Sequence, residues 1–151
     1  MGCKRSSLLT ALALAASAVM PASSVWSQSA VPADIISAGK ADFMTYCATC
    51  HGRSGSGDGP VANQLITAPA DLTILKKNNG GTFPEDRIHM VIDGRKVVKG
   101  HGTRDMPIWG NWFMFVARAT DPTRVDEETA EIIVALRVQG LIEFLNSIQK
   151  E

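Results

Sequence analysis

The chain has 151 residues, 45% of them hydrophobic and 20% charged, with fifteen basic side chains against fifteen acidic ones. That length suits one domain of ordinary size, and so even a charge balance lacks the basic excess on which nucleic-acid binding relies. Only three cysteines occur, Cys3, Cys47 and Cys50, too few for a disulfide-stapled scaffold.

Lys4-Arg5, the apolar small-residue run from Leu8 to Val19, Pro21 and a small polar stretch to Ala30 open the sequence. A positive start, a short apolar core and small residues before a cleavage point predict a secretory signal peptide over residues 1–30. Ser27 and Ala30 are both acceptable last residues of it. An uncleaved anchor is the alternative, although the run is short for a membrane span. Residues 31–151 then form the single domain, expected in the periplasm. Cys3 lies ahead of the apolar run, not where a lipidated cysteine would be. Removing Lys4 and Arg5 from the fifteen basic residues leaves 13 against 15 acidic, and Cys47 and Cys50 become the only thiols.

Asp34 is a candidate cap for a first helix that runs through Phe43 and Tyr46 into Cys47 and Cys50. Ile36, Gly39, Phe43 and Tyr46 fall on one face of it. A glycine inside a helix costs about 1 kcal/mol relative to alanine, so Gly39 predicts a close approach of another backbone. The helix ends in Cys47-Ala48-Thr49-Cys50-His51-Gly52. In a secreted protein the pattern C-x-x-C-H reads as an attachment site for haem c. Two thiols one turn apart can each add to a vinyl group of one porphyrin, and the adjacent histidine becomes the proximal ligand of the iron. Three rival readings are a zinc site using Cys47, Cys50, His89 and His101, a thioredoxin-like dithiol, and a plain disulfide. The histidine spacing is wrong for a zinc finger, no strand precedes Cys47 as a redox dithiol would want, and a disulfide at this spacing on a helix is awkward. A domain of about 120 residues is also small for a core built of side chains alone, and a buried porphyrin would add apolar contact.

The glycine-rich run 52–60 is a loop, expected to pass round the proximal side and to offer a carbonyl to the Nδ1–H of His51. Val61 to Ile66 reads as a short helical turn, and Asp71 as a second cap ahead of Leu72, Ile74 and Leu75. Thr82, Pro84 and Glu85 predict a capped helix start, with Ile88, Val91 and Ile92 on the helix and a stop at Gly94. A polar loop leads to Met106-Pro107-Ile108-Trp109-Gly110. Met106 lies 55 residues beyond His51, length enough to pass round a porphyrin and present a thioether to its far side. Met44 is too close to Cys47 to reach the far face, Met90 falls inside a helix and Met114 in an apolar run suited to core packing, so His89 and His101 are the rivals. Trp109, Trp112, Phe113 and Phe115 are expected to wall the crevice or the adjoining core, with Trp109, Arg95 or Arg104 available to the propionates. Asp121-Pro122 predicts the start of a last amphipathic helix carrying Ile132, Ile133, Leu136, Gly140, Leu141, Phe144, Leu145 and Ile148. Its Gly140 and Phe144 are candidates to meet Gly39 and Phe43. Lys76 to Arg104 holds seven basic residues and the last thirty-one residues seven acidic ones, a charge separation that can steer acidic partners. No strand alternation appears, so the fold class is all-α.

On "CATCHG", "GDGP", "MPIWG" and "LIEFL" the chain resembles the class I c-type cytochromes, small soluble proteins with one haem. The resemblance spans nearly all of residues 34–149. It implies three to five helices wrapped around the haem, the first crossing the last. It implies covalent attachment through Cys47 and Cys50, His51 and Met106 as axial ligands, and Pro60 as the proline that orients the proximal histidine. The implied function is one-electron transfer between redox protein partners by a monomer that is not an enzyme. Docking to membrane redox complexes would be transient. The long basic segment between the two ligands departs from shorter members of that family. A haem-based sensor with a labile sixth position, or an electron-transfer subunit of a larger redox enzyme, stays open beside that reading.

Overall fold

The computed structural model describes residues 33–95 and 106–150. The predicted signal segment, Arg104 and His101 lie outside the described residues. Every regular element among those described is helical, so the domain is all-α. None of the described helices is long and apolar enough to cross a membrane.

The first helical run has three parts: α1 (Ala33–Asp42), a π turn (Phe43–Cys47) and α2 (Ala48–His51). Asp34 sits inside the first turn of α1 rather than ahead of it, where its charge still meets the positive end of the helix dipole. A π turn holds one residue more than an α turn. The cysteine pair is therefore rotated relative to the register that α1 alone would set. A short 3₁₀ turn at Ala62–Gln64 follows, then a second at Leu72–Ile74 that leads into α3 (Leu75–Asn78). Asp71 caps the second turn as expected, its Oδ1 accepting from the Thr73 N–H at 2.8 Å and the Thr73 hydroxyl at 2.6 Å.

α4 (Glu85–Asp93) begins three residues later than Thr82. The Thr82 hydroxyl does not cap it. The first helical carbonyl belongs to Pro84, which accepts from the Ile88 N–H at 3.0 Å, and the predicted capping box does not form. Gly94 ends the helix in the left-handed conformation, φ 65° and ψ −4°, as its position predicted.

α5 (Trp109–Thr120) is a helix that the sequence reading does not predict, and the last helix, α6 (Glu127–Ser147), starts six residues beyond the predicted cap at Asp121. Asp121 turns its carboxylate to Thr123 instead, at 3.1 Å from the backbone N–H and 2.7 Å from the hydroxyl. The true cap of α6 is Asp126, which accepts from the Thr129 N–H at 2.8 Å. The buried side of α6 comprises Val134, Val138, Leu141, Ile142, Phe144 and Leu145. Ile132 and Leu136, expected to face inward, are exposed.

α1 crosses α6 at two glycines. A Cβ on Gly39 would overlap the carbonyl of Gly140, so only glycine lets the backbones come this close. Next to the crossing, the Phe43 and Phe144 rings pack at 5.1 Å. Arg137 of α6 reaches across to Asp42 with two hydrogen bonds of 2.9 and 2.6 Å, and its guanidinium lies 4.2 Å from the centre of the Phe113 ring. Phe43 and Phe113 are fully buried, and they join the α6 stripe with Ile88 and Ile92 in one core.

Candidate functional site

α2 is only one turn long, and its four carbonyls would be orphaned at its C-terminal end. The glycine-rich loop satisfies all four. Ala48 accepts from Gly52 (2.9 Å), Thr49 from Val61 (3.2 Å), Cys50 from Gly59 (3.1 Å) and His51 from Gly57 (2.8 Å). Gly52 and Gly57 adopt φ of 77° and 83°, a region that other residues rarely occupy. A Cβ on Gly59 would collide with the Thr49 and Cys50 carbonyls. The loop thus folds back as a lid on the end of the cysteine helix.

It does not supply the acceptor for His51. That ring bonds through Nδ1 to the carbonyl of Ala70, at 3.1 Å, nineteen residues further along the sequence. Pro60 is exposed and stands off the cavity wall, so the expectation that it or its loop orients the histidine is corrected to Ala70. A carbonyl can only accept, so Nδ1 carries the proton and the neutral ring keeps the Nε2 lone pair free. Burial holds His51 below the usual imidazole range, partly offset by the bond to Ala70. Both effects suit a metal ligand.

Cys47, Cys50 and His51 line one cavity of about 670 Å³, together with Phe43 and Tyr46 before them. Other parts of its wall come from Leu72, Leu75, Ile88 and Ile92, from Met106 and Trp109, and from Leu141 and Leu145 of α6. The volume falls within the roughly 300–1,000 Å³ of small-molecule and cofactor sites, and an apolar lining with few polar groups is their usual character. Besides His51 and Tyr46, the polar side chains of its lining are Thr67, Asn78, Asn79 and Arg87.

The two thiols are free rather than joined. Burial pushes the Cys47 thiol up to about 12, with the negative charges of Asp42 and Cys50 adding to it. Among the described residues no group of three or more histidine, cysteine or acidic residues is placed to hold a metal ion. His89 is exposed and away from the cavity, which leaves the zinc reading without that ligand.

Met106 is half-buried and lies in the cavity wall, and Met90 also reaches it from α4. Met44 and Met114 pack on the core instead. Trp109 stands where expected, its ring 5.7 Å from Tyr46 and 6.0 Å from Phe113. Trp112 and Phe115 do not wall the crevice: they pair with each other at 5.6 Å and face outward. Arg95 is taken by carboxylates of the same molecule, 2.7 Å from Asp93 and 2.7 Å from Glu131, which corrects its assignment to a propionate. Nothing in the sequence marks Ala70 or Arg137. The first acts through its backbone and leaves no side-chain signal, while the second resembles any surface arginine in the sequence.

The donor set fits a covalently bound haem: two thiols one turn apart, an imidazole with a free Nε2 lone pair and a thioether share one apolar cavity. Comparison of the sequence and fold with family models, curated proteins and solved structures finds no match.

Proposed function

We propose that this protein is a periplasmic one-electron carrier of the c-type cytochrome kind, with its helices wrapped around one haem c. The observation that carries the reading is the convergence of Cys47, Cys50, His51 and Met106 on one apolar cavity. Cys47 and Cys50 would hold the group through thioether bonds, and His51 and Met106 would be the axial ligands. When bound, haem supplies an iron that alternates between ferric and ferrous states, and His/Met ligation raises its potential.

The protein's own residues set the conditions. The Ala70 carbonyl holds the His51 proton on Nδ1 and strengthens the ring as a donor. Leu72, Leu75, Ile88, Leu141 and Leu145 exclude water, and the Tyr46–Trp109–Phe113 cluster stiffens the wall beside Met106. With residues 1–30 removed, the domain would act as a soluble monomer that meets its redox partners transiently.

The test is the absorption spectrum of the periplasmic protein in both oxidation states, beside Met106→Ala. Low-spin spectra with a weak far-red sulfur-to-iron band, lost in the variant, are expected. Ready binding of carbon monoxide by the unmutated ferrous protein would instead favour a ligand sensor. Covalent haem absent from periplasmic protein would end both readings. Retention of the far-red band in Met106→Ala would move the thioether to Met90.

The exposed Trp112–Phe115 pair favours a second reading, in which the same chemistry serves a larger redox complex, since exposed aromatic surface is enriched at protein interfaces. Native mass after gentle extraction separates the two: a mass of one chain sinks the complex.

A further inference from the structure

Beyond the end of α6 the backbone folds back onto the segment that carries Ala70. The Gln149 side chain makes three hydrogen bonds there. Its Nε2 donates to the Leu72 and Leu145 carbonyls, both at 2.7 Å, and its Oε1 accepts from the Lys76 N–H at 2.9 Å. The partners fix the orientation of the amide: two carbonyls can only accept, and a backbone N–H can only donate. The Lys150 N–H adds a bond of 2.7 Å to the carbonyl of Thr73.

One side chain therefore joins an orphan carbonyl of the last helix to both ends of the turn at 72–76. Ala70 is two residues upstream of Leu72, and little between them can flex. Asp71 is locked to the Thr73 N–H and hydroxyl, and the Leu72 N–H is tied to the Gly55 carbonyl at 2.7 Å. Thr73 itself is buried. A shift at Leu72 must pass to the Ala70 carbonyl, which stands 3.1 Å from Nδ1 of His51.

We infer that Gln149 is a positioning residue for His51: it clamps Leu72 and Lys76 to the end of α6 and so holds the Ala70 carbonyl against the imidazole. The inference rests on the proposed role of His51 as an iron ligand. Hydrogen bonds to the far nitrogen of a ligating imidazole set its basicity, so the last residues of the sequence tune the potential of a site assembled from much earlier ones.

Two variants test it. Gln149→Met keeps the shape of the side chain and removes the amide. Gln149→Glu keeps the acceptor for Lys76 and removes both donors. In the purified full-length protein, the exchange of the His51 Nδ1–H with solvent is read by nitrogen-15 NMR, and the reduction potential is read beside it. Both variants are expected to speed exchange tenfold or more and to move the potential to more positive values, because a weaker bond at Nδ1 leaves a less basic ligand. Val134→Ala, buried in α6 but outside the cavity wall, lowers stability and is expected to move neither readout. Unchanged exchange and potential in both Gln149 variants would overturn the inference and leave Gln149 as a helix cap. An equal response in Val134→Ala would overturn it too. Failure of Gln149→Met to fold leaves Gln149→Glu to decide. Protein without covalent haem would refute the electron-carrier reading, while the ring N–H exchange would still decide the role of Gln149, because that bond lies wholly within the polypeptide.

Discussion

Gly39 and Gly140 meet backbone to backbone where α1 crosses α6, and the contact is not symmetric. A Cβ on Gly39 would run into the Gly140 carbonyl, whereas one on Gly140 would stand 3.3 Å from the Gly39 nitrogen. Alanine gains roughly 1 kcal/mol over glycine in a helix, and overpacking costs about 1–3 kcal/mol or more. Gly39→Ala is expected to lose about 2 kcal/mol in urea unfolding. Gly140→Ala is expected within about 1 kcal/mol of the parent, since a few tenths of an ångström of adjustment suffices. Equal losses in the two variants would mean that the helices slide freely at the crossing.

Arg137 and Asp42 tie the same two helices a turn further on. Both side chains are about four-fifths buried, at 21% and 20% exposure, and the guanidinium also lies over Phe113 and Tyr46. A lysine cannot reproduce the two-pronged bond or the flat stacking. Arg137→Lys is expected to cost about 1–2 kcal/mol, with little dependence on salt because the pair is sheltered. A change below about 0.3 kcal/mol in thermal or urea unfolding would show that the pair is a solvent-screened surface contact.

Local chemistry was legible in the sequence where one residue decides the outcome. Gly94 in the left-handed region, Asp71 bonded to Thr73 and the Gly39–Gly140 approach all follow from what those residues can or cannot do. The same rule misled at Asp121-Pro122, because an aspartate offers identical capping chemistry five residues later at Asp126, and only packing selects between them. The π turn at Phe43–Cys47 is invisible to a period of 3.6 residues. α5 was hidden because "WGNWFMFV" is apolar on nearly every side and has no capping side group ahead of it, so it reads as wall rather than helix. The thiols, His51, Met106 and Trp109 are legible as candidates because their chemistry is in their side chains. Ala70 is not, because its contribution is a carbonyl that every residue has.

Acid should weaken the fold through three carboxylates. Asp71 is held below the usual range by its bonds to Thr73, Asp126 by its bonds to Thr129, and Glu131 by Arg95. The folded protein therefore keeps these groups ionised at a pH where the unfolded polypeptide protonates them. Their stabilisation is complete above the unfolded carboxylate values near 4 and declines as pH falls through the lower folded values. Urea midpoints are expected to fall as pH drops through the ordinary imidazole value of about 6.5, because burial keeps the folded His51 neutral, and to fall again below about pH 4. Asp126→Asn, which keeps an acceptor and loses the titration, should flatten part of that drop. A midpoint that rises on acidification would contradict the assignment of all three.

Cys47 gives the opposite slope. Its thiol is pushed up to about 12 by burial, so at pH 8 the folded protein holds far less of the reactive thiolate than an unfolded one, by about three powers of ten. In protein produced without haem, alkylation of Cys47 under native conditions should be about 10²–10³ times slower than in denaturant, followed by mass spectrometry. The same shift means that the folded state retains a proton which the unfolded state releases. The stability it contributes is complete below the ordinary thiol value of about 8.5 and is lost as pH rises towards 12. Native labelling as fast as in denaturant would show that Cys47 is open to solvent.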